Sequence, residues 1–104
     1  MPTILEISST KYDDDIPLIK KALINLESIC EVRDGFLISE PMARFGWTFF
    51  KIALKPNLFF AIEKKFHDMI NNSKGRKPED RFSNFMSDYF AARGCAVKIK
   101  LLDY

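Results

Sequence analysis

The single histidine, His67, follows Glu63 by four residues, a helical spacing that sets both side chains on one face where they could share a proton or a metal ion. A zinc site needs more ligands, and no third cysteine, histidine or acid stands at helical spacing from this pair. Beside Lys64 and Asp68, His67 reads as an exposed side chain. Cys30 and Cys95 form no C-x-x-C pair, and both fall on apolar faces, where a thiol behaves as a small inert hydrophobe. A cysteine nucleophile would need the fold to bring one of them to His67. Three consecutive acids, Asp13, Asp14 and Asp15, could hold a hard cation, yet such sites draw carboxylates from separate elements or from alternate loop positions. Ahead of Pro17 they read as the start of a helix. The four glycines fit no phosphate cradle and no nucleophile elbow. We therefore assign no catalytic residue, no metal ligand and no cofactor, and expect a protein that is not an enzyme.

Two sets of residues suit binding instead. Lys74, Arg76, Lys77 and Arg81 fall within eight residues and would attract phosphate oxygens in a salt-dependent way, unless they are simply a solvated loop. Trp47, Phe49 and Lys51 alternate along an expected strand, and Lys98 and Lys100 alternate along another. If these two sets share an uncovered sheet face, rings stand beside ammonium groups, an arrangement that stacks the bases of single-stranded RNA. The same rings would equally anchor a protein partner or pair two copies of the chain, or they could be covered by the last helix.

Positioning them requires the following elements. A strand over residues 3–8 places Leu5 and Ile7 on one face, and a helix behind the aspartates buries Ile16, Ile19, Leu23, Leu26 and Cys30. Residues 31–40 read as a second strand with a bulge at Gly35, and residues 41–46 as a turn. Residues 46–54 form a third strand with Thr48, Phe50, Ile52 and Leu54 opposite the Trp47 set. Pro56 and Asn57 start a helix running to Asn71, and Pro78 with Glu79 and Asp80 starts another carrying Phe82, Phe85, Met86, Tyr89 and Phe90 to Gly94. Residues 95–102 alternate as the final strand. The expected fold is one α+β domain over residues 1–104, a single-layer antiparallel sheet with helices on one face in the order β-α-β-β-α-α-β. This is the ferredoxin-like (split βαβ) arrangement with one extra helix.

The 104 residues carry 16 basic and 14 acidic side chains, unevenly placed: eight acids and four bases up to position 40, then twelve bases and six acids. Thirteen per cent aromatic content excludes a solvated, disordered chain. The sparse cysteines fit a reducing compartment, and no apolar run reaches the roughly 20 residues of a membrane span, so a cytoplasmic location without membrane partners is expected.

Residues 44–50, Arg-Phe-Gly-Trp-Thr-Phe-Phe, loosely resemble the RNP1 signature of RRM domains, which share the β-α-β-β-α-β order. The resemblance spans seven residues, and it implies base stacking on the third strand. It departs where the first strand of that family supplies another aromatic: here Leu5-Glu6-Ile7-Ser8 offers an acid. On sequence, the leading expectation is a small non-catalytic module binding another protein, as an inhibitor, adaptor or regulator. The alternative is a nucleic-acid-binding domain that uses Trp47, Phe49 and the Lys74 to Arg81 cluster.

Overall fold

Every odd residue of β1 (Thr3–Ser9) is buried and every even one is half-exposed, so this strand alone divides the sheet into a covered and an open side. The computed structural model describes residues 2–103. Within them a five-stranded antiparallel sheet carries four helices, an α+β architecture. β4 (Trp47–Leu54) pairs with β1 in the register Leu5↔Ile52 and Ile7↔Phe50, and these four side chains are 0–2% exposed. β5 (Lys98–Asp103) lines the other side of β1, with Leu101 opposite Leu5 and Ile99 opposite Ile7. β2 (Phe36–Ile38) and β3 (Met42–Arg44) share the outer edge of β4, giving the order β2-β4-β1-β5. β4 thus lies antiparallel between β1 and the β2/β3 edge.

The expected turn over residues 41–46 therefore contains a strand, β3. The strand expected over residues 31–40 shrinks to β2, because the preceding helix runs on to Cys30 and the chain then turns at Glu31. Ser39 bridges the β2–β3 gap: its amide donates to the Lys51 carbonyl at 2.8 Å, and its hydroxyl accepts the Lys51 amide at 2.7 Å.

α1 (Tyr12–Cys30) buries Ile19, Ala22, Leu23 and Leu26 on the sheet, and Tyr12 meets Phe50 edge-on. The three aspartates lie inside its first turn rather than ahead of it, where they complement the positive helix end. One of them has a further role. Asp15 is buried and accepts a 2.5 Å hydrogen bond from the Ser9 hydroxyl, which in turn accepts the Lys11 amide, so the carboxylate ties the end of β1 to the start of α1. The helix stops at Glu31, whose φ of 57° is left-handed; the amides of Glu31 and Val32 return to the carbonyls of Ser28 and Glu27.

The helix expected from Pro56 to Asn71 is broken at Phe66 into α2 (Pro56–Lys65) and α3 (His67–Asn71). The break turns Phe66 towards Phe85 and Tyr89 while Leu58, Phe59 and Ile62 stay in the core, so two apolar faces are buried where one straight helix would bury one. α4 (Pro78–Ala91) adds Phe82, Phe85, Met86, Tyr89 and Phe90 to the same core, and its end closes with the Cys95 amide on the Phe90 carbonyl. The final strand begins at Lys98 rather than Cys95, whose buried thiol side belongs to this helix end.

Gly35, just ahead of β2, lies against Leu58 of α2. An added Cβ there would lie 2.5 Å from the Leu58 Cβ, while the Gly35 carbonyl accepts the Lys55 amide at 2.8 Å. This close approach replaces the bulge expected from the sequence. Gly35→Ala should therefore lower stability by about 1–3 kcal/mol through forced repacking, whereas Glu31→Gly, which removes a side chain from a left-handed position, should raise it by about 1 kcal/mol. Urea unfolding midpoints of the two variants check both signs.

Candidate interaction face and the residues around it

Strand pairing builds the open face row by row. Arg44 lies opposite Trp47 next to the β3–β4 turn. The next row runs Met42, Phe49, Ser8, Lys98, and the one after it Lys51, Glu6, Lys100. Leu37, Ala53 and Ile4 follow. Since directly opposed residues share a face, Trp47, Phe49, Lys51, Lys98 and Lys100 form one surface, as the sequence suggested. Arg44 brings the cations to four, and in the rows that hold them the one acid is Glu6.

Among the described residues no helix lies on this surface. The apolar stripe of α4 is spent in the core shared with Leu5, Ile7 and Phe50, which removes the alternative in which it covers Trp47. Trp47 and Phe49 remain half-exposed among their strand neighbours, and Lys51, Lys98 and Lys100 are exposed. The Lys98 ammonium sits 5.0 Å from the Trp47 ring centroid, a cation–π contact that holds a positive charge beside the indole. Glu6 lies opposite both Lys51 and Lys100 and offsets one of their charges, leaving the face net positive.

A further residue escaped the sequence reading. Phe45 occupies the two-residue turn between β3 and β4 and is 93% exposed. Its φ is 53° and that of Gly46 is 79°, so both turn positions are left-handed, as a type I′ hairpin requires. Glycine accepts this freely and asparagine nearly so; a phenylalanine bears a cost of roughly 1–2 kcal/mol. The signal was present in the sequence as an aromatic where Asn-Gly or Asp-Gly would be ordinary.

The basic loop stands apart from this face. Lys74, Arg76 and Lys77 are exposed ahead of α4, whose far end meets the start of α1 through Cys95 and Asp15, beside the Trp47 end of the sheet. The 14 residues of α4 span about 20 Å, so the loop stands that far along the helix layer, on the covered side. Arg81 is half-buried and donates to the carbonyls of Gly75 and Arg76 at 3.3 and 3.0 Å, and Asn84 donates to that of Lys74 at 2.6 Å. Arg81 therefore shapes the loop.

On the helix side, Arg93 stacks 3.6 Å from the Tyr89 ring centroid and donates to Asn25 Oδ1 at 3.2 Å. The Tyr89 hydroxyl donates to the same oxygen, so the three residues clip α4 to α1. Burial raises the Tyr89 phenol pKa, opposed by the Arg93 guanidinium.

The remaining chemistry-bearing groups are quiet. His67 is exposed with Nε2 3.0 Å from the Asn71 amide nitrogen. Burial raises the Cys30 thiol pKa, partly offset by Lys65, and pushes that of Cys95 up to about 12, with Asp15 adding to the effect through its charge and a hydrogen bond. Both thiols are held in the unreactive protonated form near neutral pH. Among the described residues no group of three His, Cys, Asp or Glu side chains is placed to hold a metal ion, and no helix is long and apolar enough to cross a membrane.

No family model, curated protein or solved structure matches the chain.

The Cys95 thiol keeps its proton more tightly when folded than when unfolded. Its contribution is complete below the ordinary thiol value near 9 and is lost as pH rises from there to about 12. Urea unfolding at pH 8 and pH 10 should show stability falling with pH, and Cys95→Ala should flatten that fall at some cost in packing.

Proposed function

We propose that this chain is a small non-catalytic binding module whose open sheet face takes single-stranded nucleic acid. The observation that carries the reading is the joint placement of Trp47, Phe49, Lys51, Lys98 and Lys100, with Arg44, on an uncovered sheet of net positive charge. Rings give sequence-tolerant stacking for unpaired bases, and flanking cations meet phosphates. Lysine in particular favours this ligand over a second copy of the chain, since it is depleted from protein interfaces and like charges would face each other in a symmetric pair. We read the strand order β2-β4-β1-β5 as the ferredoxin-like arrangement, with β2 and β3 together serving as one edge strand. The quiet thiols and exposed histidine support a role without chemistry.

A protein partner, acting with this chain as inhibitor, adaptor or regulator, is the second reading. What favours it is exposed apolar surface beyond the needs of a polynucleotide: Leu37 and Met42, each 61% exposed at the β2/β3 edge.

The only tryptophan lies in the site, so its fluorescence reports occupancy directly. Titration with a uridine oligomer at about 50 and 200 mM salt should quench Trp47 and show binding that weakens steeply with salt. Lys98→Glu and Lys100→Glu should each cut affinity severalfold and flatten the salt dependence, by about 0.7 in log–log slope for each phosphate no longer neutralised. Lys74→Glu with Lys77→Glu, at the far end of the helix layer, should leave binding within about twofold. Absence of quenching at low salt would exclude the nucleic-acid reading. Capture of a protein partner that survives high salt would favour the second.

A further inference from the structure

We propose that Phe45 is a third stacking platform for single-stranded nucleic acid, extending the line of Trp47 and Phe49 past the end of the sheet onto the hairpin tip. The inference rests on the reading of the open face given above and names the part of it that supplies a further base-stacking ring.

Three observations carry it. Trp47, Phe49 and Lys51 follow one another at two-residue steps on β4, about 6.8 Å apart along the strand, and Phe45 occupies the turn that leads directly into them. Phe45 is 93% exposed and packs into neither the core nor the ring clusters that use most other phenylalanines of the chain. It also holds a left-handed φ of 53° that a glycine would adopt without strain. An aromatic ring kept at a backbone position that resists it, with no packing in return, is the mark of a group retained for something outside the fold.

The surroundings indicate the ligand. Arg44 precedes the ring and Lys98 lies against the neighbouring indole, while no acid stands in the rows of Trp47 and Phe49. A flat apolar group flanked by cations fits an unpaired base and its phosphate. Paired bases keep their faces within the stack, so the track calls for a single strand of at least three nucleotides.

Phe45→Gly separates binding from folding, because it removes the ring and relieves the strain together. The variant should melt at the same or a higher temperature than the native chain, yet bind a nine-nucleotide uridine oligomer roughly tenfold more weakly, with the salt slope unchanged because every cation is kept. Phe45→Trp should retain native affinity. If Phe45→Gly binds as the native chain does while Trp47→Ala binds weakly, the tip is no platform, although the open face keeps its role. Failure of the native chain to bind the oligomer at low salt overturns both. Equal binding of a poly-glutamate peptide would assign the tip to an acidic protein and overturn the proposal.

Discussion

The antiparallel pairing of β1 with β4 is the constraint on which the rest of the molecule depends. Its register sets Leu5 against Ile52 and Ile7 against Phe50 on one side, and Glu6 against Lys51 and Ser8 against Phe49 on the other. A slip of one residue would turn charged side chains into the helix layer and the core into water, so a single pairing fixes both the interior and the chemistry of the open face. The core is what holds this register. Each fully buried aliphatic or phenyl side chain contributes about 1.5–3 kcal/mol relative to exposure, far more than the exposed charges opposite could contribute. The face is therefore free to carry charge that its own strands do not need.

Much of this was legible in the residues. Alternation in β4 separated Trp47 and Phe49 from Phe50 and Ile52, and the three- and four-residue spacing of α1 and α4 named their buried sides. These are period signals, and they survive folding because each side of a strand or helix meets a uniform environment. Residues 42–44 failed as a strand because Met-Ala-Arg is short, wholly exposed and bounded by Pro41 and Gly46, so its identity comes only from the β4 edge it pairs with. The break at Phe66 had no local mark either. It follows from the distant rings of Phe85 and Tyr89, and no window along the chain contains them all.

The site divides in the same way. The sheet residues were found because one strand's alternation and one pairing place them. The basic loop stands apart from them, and the sequence could not say in which layer it lies, because proximity of charges along the chain carries no such information. Asp15 changed meaning altogether: read as one of three helix-opening acids, it proves to be the buried acceptor that ties β1 to α1, and it stands beside the Cys95 thiol that closes α4. The joint holding the two helix ends is thus polar, with every component satisfied, and it sits beneath the end of the sheet that carries the indole.

The margins of the sheet have a consequence of their own. One border is two three-residue pieces interrupted at Ser39 and Pro41; the other is β5, studded with Lys98 and Lys100 and thrown out of step near Leu5. Neither offers the long, flat run of amides and carbonyls that a visiting peptide needs in order to extend a sheet. Both margins are therefore poor templates for an added strand, and crowded copies have no ready template for growing into a fibril.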